Sequence, residues 1–129
     1  MFDGSAALKW LAKTIRSECR ALERARLRFV RDPTEKRLHV VRTTGRRLRS
    51  LLEDVGDVAP RRDLLKRVKR AAAATDAARD ATIVLRLLEN NVTSSERELA
   101  QPLFDRLREK EVAATRDACR RLRRARFDK

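Results

Sequence analysis

Turn-forming residues are scarce in this chain, whose 129 residues include only 3 Gly, 3 Pro and no Tyr. A β-sandwich or β-barrel needs many more turn residues and β-formers. No apolar run approaches the roughly 18 residues that a membrane span requires. The abundant residues are Ala, Leu, Arg and Glu, which are strong helix formers. The composition therefore predicts an all-α protein, and the length predicts a single domain over residues 1–129, or half of a larger one.

Groups typical of catalytic or metal centres are also few. There is one His, there are two Cys without Cys-x-x-Cys spacing, and no Gly-rich phosphate loop or Ser-His-Asp arrangement is present. We therefore expect no enzyme activity, no cofactor and no metal. Cys19 and Cys119 fall on different helices and are expected to be small buried hydrophobes in a reducing cytoplasm, although a disulfide between them stays open.

Charge of one sign is in excess, because 33 Lys and Arg face 19 Asp and Glu, which gives a formal net charge of +14. So much positive charge on a small domain is costly through self-repulsion. The natural partner is anionic: nucleic acid, polyphosphate, a membrane surface or an acidic protein. Of the cations, 26 are Arg and 7 are Lys. A bias toward arginine codons could explain Arg over Lys, but it does not explain the excess over carboxylates.

Hydrophobic periodicity predicts four helices joined by connections of a few residues. Short connections make consecutive helices antiparallel neighbours, so we expect an up-down four-helix bundle. We expect Asp32 to cap the second helix, with Pro33 at its first position, and Thr93 to open a capping cluster for the fourth. The expected inner faces include Leu8, Ile83, Leu99 and Leu103 on the first, third and fourth helices. The helices are expected to span about residues 5–30, 33–55, 61–89 and 94–126.

One histidine and three arginines recur at helical spacing in the second helix. At about 100° per residue they fall within an arc of about 80° that runs for roughly 15 Å along the axis. The apolar positions of the same helix centre on its opposite side. Two interpretations are open: a solvated cationic face with an incidental histidine, or a site where arginine forks grip phosphate oxygens. The stripe consists of His39, Arg42, Arg46 and Arg49.

Basic residues also recur at spacings of three and four in the other helices. Stripes that converge from several helices would create a field able to hold a linear polyanion. Asp76 and Asp80 lie four residues apart and could face a metal, but salt bridges with Arg79 and Arg70 are favoured. The further stripes are Lys9, Lys13, Arg16, Arg20 and Arg24 in the first helix, Arg62, Lys66, Lys69 and Arg70 in the third, and Arg116, Arg120, Arg123 and Arg124 in the fourth.

Two segments carry motifs of a known family. HVVRTTGRRLRSLLEDV, which begins at His39, has a histidine, an arginine three residues later and then an Arg-Arg-Leu-Arg run. TDAARDATIVLRLLE contains the pair Arg79-Asp80 on the following helix. Both segments resemble the motifs of the CHAD domain, the conserved histidine α-helical domain, and the resemblance covers about residues 22–89. Asp76 stands where that family usually has a glycine, and Thr82 where it usually has an acidic residue.

The resemblance implies a helical bundle that binds inorganic polyphosphate through basic side chains. CHAD domains commonly consist of two similar four-helix halves, and this chain has length for one, which implies a homodimer or a partner half. A cytoplasmic protein associated with polyphosphate granules or with triphosphate-processing enzymes would fit. Asp80 is expected to orient a motif arginine, or to pair with Arg79 in a structural salt bridge. The expected polyphosphate ligands are His39, Arg42, Arg46 and Arg49, followed by Arg16, Arg20, Lys66, Lys69 and Arg70.

Two other functions remain open at this point. Basic helices also suit the phosphate backbone of nucleic acids, although one Trp, four Phe and no Tyr offer little base stacking. No helix-turn-helix, RRM or zinc-finger pattern occurs. The second alternative is a structural or scaffolding dimerisation module whose cations keep it soluble.

Overall fold

The fold, as seen in a computed structural model that describes residues 4–128, consists of four long helices. These are α1 (Gly4–Arg31), α2 (Glu35–Asp54), α3 (Arg62–Asn91) and α4 (Ser94–Arg123). Each helix packs against the next in the chain, and α1 also packs against α4. The connections are a few residues long, as expected for antiparallel neighbours. The predicted all-α four-helix bundle is confirmed.

The start of α2 differs from the prediction. Thr34 is the N-cap, and its hydroxyl accepts a hydrogen bond from the Arg37 amide at 3.2 Å. The predicted cap, Asp32, is drawn away because its carboxylate pairs with the Arg37 guanidinium at 3.0 Å. Pro33 therefore precedes the helix rather than opening it.

The ends of α4 are defined by a capping pair and by a buried aromatic ring. Thr93 accepts from the Glu96 amide at 3.3 Å, and its hydroxyl donates to the Glu96 carboxylate at 2.9 Å, which confirms the predicted capping cluster. The helix ends at Arg123, three residues before the predicted 126. It ends there because the chain turns to bury Phe127, whose amide donates to Glu23 Oε1 at 3.2 Å.

The core runs along the inner faces of all four helices. Its apolar side chains include both cysteines, which are buried, as predicted, and are free thiols. One ion pair is also buried: the Arg26 Nε donates to Glu23 Oε1 at 2.9 Å, and Arg26 Nη1 donates to the Leu122 carbonyl at 2.9 Å. Arg26 thereby joins α1 to the carboxyl end of α4. The largest fully buried side chains are Phe29, Phe104, Phe127, Leu22, Leu48, Leu52, Leu64 and Leu122.

The α3–α4 hairpin tip, residues 83–105, extends beyond the rest of the bundle. At 20 residues, or about 30 Å, α2 is shorter than α3, which has 30 residues and measures about 45 Å. The first residue of α2, Glu35, pairs with Arg86, so α2 covers nothing beyond that level of α3. Within the tip, two arginines face four carboxylates, whereas the whole chain carries +14.

Several predicted core residues are therefore exposed. Ile83, Leu99 and Leu103 lie on the hairpin tip, and Leu99 is 85% exposed. Leu8, near the start of α1, is also exposed. The tip is instead held by Phe104, which is buried between the guanidinium groups of Arg97 and Arg108 at 5.4 and 5.7 Å from the ring centroid.

Candidate functional site: a basic groove between α2 and α3

Two adjoining cavities of about 280 and 290 Å³ follow the line where α2 meets α3. Arg42 and Arg46 line both cavities, so we treat the two as neighbouring parts of one depression. We call it the α2–α3 groove. Its basic residues are His39, Arg42, Arg46 and Arg49 from α2, with Lys69 and Arg79 from α3.

Helical spacing explains why these side chains share one face of α2. Val41, Thr44 and Leu48 occupy the opposite, buried face of the helix. On α3, the small side chains of Ala72 and Ala73 line the groove and leave room between the helices. Because these alanines occupy little space, the guanidinium groups of α2 can reach a ligand in the groove from the α2 side.

Arg42 is the least accessible of the predicted ligands, since its side chain is only 14% exposed. Its Nη1 donates to Thr75 Oγ1 at 2.7 Å, to Asp76 Oδ1 at 2.9 Å and to the Ala72 carbonyl at 3.4 Å. Its Nε is buried and has no hydrogen-bond partner among residues 4–128. Arg42 therefore braces α2 against α3 and forms the floor of the groove.

Asp76, rather than Asp80, pairs with a motif arginine. The favoured salt bridges of Asp76 and Asp80 with Arg79 and Arg70 are not formed within the described chain; Asp76 contacts Arg42 instead. The reason is that Asp76 lies next to Thr75, on the turn of α3 that Arg42 reaches, whereas Asp80 is one turn further along. Arg79, predicted only as a structural residue, lines the groove beside His39.

The other groove cations differ in how firmly they are held. The Arg46 guanidinium forms no ion pair or hydrogen bond with any described residue. Arg49 Nε donates to Glu53 Oε1 at 2.9 Å, and this hydrogen bond lowers the pKa of the Glu53 carboxyl. His39 is exposed, with Nε2 at 3.4 Å from Thr43 Oγ1. The centre of the groove thus holds an unengaged guanidinium, with weakly engaged groups on either side.

Four predicted second-tier ligands lie outside the groove. Arg16 and Arg20 line a separate cavity of about 270 Å³, together with Arg61 and Asp128. Arg70 lines a cleft between α3 and α4. Lys66 is exposed but lines none of these cavities. Of the second-tier residues, the structure brings only Lys69 to the predicted stripe.

Arg79 is the ligand candidate that sequence reasoning missed. A helical signal for it exists: Asp76 and Arg79 follow Lys69 at seven and ten residues, close to two and three turns.

Among residues 4–128 there is no group of three or more His, Cys, Asp or Glu side chains that could hold a metal ion. None of the described helices is long and apolar enough to cross a bilayer.

The bundle and its groove define a class: a cationic all-α domain with a surface groove lined by histidine, arginine and lysine side chains. The family model of the CHAD domain matches residues 6–129, and the chain belongs to the CHAD domain family. CHAD domains are associated with polyphosphate binding. Comparisons with curated proteins and with solved structures found no match.

Proposed function

We propose that this protein binds inorganic polyphosphate along the α2–α3 groove and catalyses no reaction. The main support is that two adjoining cavities share Arg42 and Arg46. The cations that line these cavities therefore follow one line along α2. From His39 to Arg49 the groove follows α2 for about 15 Å. A chain of phosphates matches this shape, and the family's association with polyphosphate supports the same ligand.

Each basic side chain has a role that follows from its surroundings. Arg46, which has no partner in the described chain, is the central ligand and can grip two phosphate oxygens with its planar fork. His39 and Arg79 serve one end of the groove, and Arg49 and Lys69 the other. Arg42 acts mainly as a positioning residue, because Thr75 and Asp76 already hold its Nη1.

Carboxylates near the groove oppose the anion. Asp76 lines its middle and Glu35 lines its His39 end. Glu53 accepts from Arg49, so a phosphate that uses Arg49 must displace this carboxylate. The affinity for polyphosphate is therefore set by the attraction of the cationic side chains, reduced by the repulsion and competition of these carboxylates. It should weaken with added salt.

The decisive experiment compares two triple variants of equal charge. R46A/K69A/R49A removes three groove cations but leaves the Arg42 brace intact. R24A/R106A/K110A removes two arginines and one lysine from exposed positions that line none of the cavities described above. Calorimetric titration with long-chain polyphosphate should show the groove variant binding at least about tenfold more weakly than the control, equivalent to about 1.4 kcal/mol. Equal affinities would overturn the proposal.

A competition assay separates polyphosphate from nucleic acid. Both ligands present repeating phosphates, so salt dependence alone does not discriminate between them. We expect long-chain polyphosphate to displace bound duplex DNA at matched phosphate concentration and salt. Preferential retention of DNA would favour the nucleic-acid function instead.

We also propose that the protein is a homodimer in the cytoplasm, where polyphosphate granules recruit it. The α3–α4 hairpin tip supports self-association, since Val84, Leu87 and Leu99 are exposed there. The tip contains two arginines and four carboxylates, so two tips repel each other less than two copies of the strongly positive remainder of the chain would. Light scattering should give twice the mass of the 14.9 kDa chain; a mass of one chain at high protein concentration contradicts the dimer.

A further inference from the structure

A second basic depression lies on the other side of α3, between α3 and the carboxyl end of α4. It has a volume of about 320 Å³, and no carboxylate is among its lining residues. Its floor is apolar, formed by Ala71, Ala74, Leu122 and Ala125. We call it the arginine cleft, after its basic residues Arg67, Arg70, Arg121, Arg124 and Arg126.

The segment that completes the cleft is anchored at two points. After α4 ends at Arg123, the chain turns, and the Arg126 carbonyl accepts a hydrogen bond from Arg67 Nη1 at 2.7 Å. The next residue, Phe127, is 1% exposed. Arg124 and Arg126 therefore belong to a fixed rim rather than to a free tail, which lowers the entropy cost of ordering them around a ligand.

The cleft keeps a surplus of positive charge. Arg121 and Arg126 have only long ion pairs, with Asp117 at 3.8 Å and Asp128 at 3.6 Å. The side chains of Arg70 and Arg124 have no ion pair or hydrogen bond with any residue in the described range. By contrast, the α2–α3 groove contains Asp76 and Glu35 among its lining residues.

We infer that the arginine cleft is a second anion site, which takes a short oligophosphate or a stretch of a longer one. Guanidinium forks bind phosphate oxygens in pairs, and an apolar floor strengthens such charged hydrogen bonds by lowering the local dielectric constant. Only the ligand class rests on the proposed function; the site itself stands on its own geometry. Lys69 lines the groove and the adjacent Arg70 lines the cleft, so the two sites flank α3.

The test uses tripolyphosphate, which is short enough to report on each site separately. In amide NMR spectra of the whole chain, Ala125 reports on the cleft and Gly45 on the groove. We expect both resonances to shift on titration of the wild type. In R70A/R124A, the Ala125 shift should require about tenfold more ligand or be lost, because two unengaged guanidinium groups are gone, while the Gly45 shift persists.

R24A/R106A is the control, because it removes the same charge from exposed positions outside both sites. It should retain both shifts, and circular dichroism should show all three proteins equally helical. If Gly45 shifts and Ala125 does not, the second site is overturned and the proposed function stands. If only Ala125 shifts, the cleft is supported and the groove assignment fails. If neither shifts, or if R70A/R124A titrates like R24A/R106A, the second site is overturned.

Discussion

The buried pair of Arg26 and Glu23 offers a sharp test of how the bundle is held together. The two residues are 5% and 8% exposed. Arg26 donates to Glu23 and to the Leu122 carbonyl, and Glu23 also accepts from the Phe127 amide. Substituting Arg26 by Met keeps the volume of the side chain similar but leaves a buried carboxylate without its cation and removes the hydrogen bond from Arg26 to the Leu122 carbonyl.

Breaking one side of a buried ion pair costs about 3–5 kcal/mol. Domains of this size unfold with about 5–15 kcal/mol, so R26M should lose a large part of its stability. At about 3–5 °C per kcal/mol, the midpoint of thermal unfolding should fall by roughly 9–25 °C. Urea denaturation followed by circular dichroism measures the free energy directly.

The companion variant E23Q/R26M identifies the cause. A glutamine side chain in place of Glu23 would still accept from the Phe127 amide but carries no charge, so the double variant should recover at least about 1 kcal/mol relative to R26M. A loss below about 1 kcal/mol in R26M, or no recovery in the double variant, would refute the reasoning.

Three further outcomes are expected. G45A should stabilise the protein by about 0.5–1 kcal/mol in urea denaturation, since glycine is a poor helix former and an added Cβ would meet only Leu22 Cδ1 at 3.9 Å; a loss would contradict this. D76N should tighten polyphosphate binding a few-fold in calorimetry, because it releases Arg42, and it should lower the free energy of unfolding by about 0.2–1 kcal/mol. Weaker binding would show instead that Asp76 positions Arg42 for the ligand. Burial raises the pKa of the Cys19 and Cys119 thiols, so a smaller fraction of each is thiolate at about pH 8 than in an unburied thiol. A thiol reagent at about pH 8 should therefore label native protein far more slowly than urea-unfolded protein.

The sequence predicts best those features that depend on a single helix. Thr93 and Glu96 form the capping pair that their spacing indicates, and His39, Arg46 and Arg49 line the groove that periodicity places on one face of α2. Both results follow because helical geometry fixes the direction of a side chain relative to its own axis.

Features that depend on two helices could not be read in the same way. Arg16 falls in a regular basic stripe, but the rotation of α1 in the bundle turns that stripe toward Arg61 instead of the groove. Arg42 fits the stripe equally well, yet Thr75 and Asp76 engage it because α3 packs against that turn of α2. Leu99 lies in an apolar repeat but is exposed on the hairpin tip, because the end of α1 reaches only residues 111–123 of α4.

The uneven spread of charge also gives the molecule a permanent polarity. The tip of residues 83–105 is slightly anionic, while the remaining body carries the whole of the positive excess. Near an anionic polymer, the body is attracted and the tip repelled, so a torque acts on the molecule before any contact is made. It would dock body first, with the tip directed away from the polymer, and this alignment would fade at high ionic strength as counterions shorten the reach of the field.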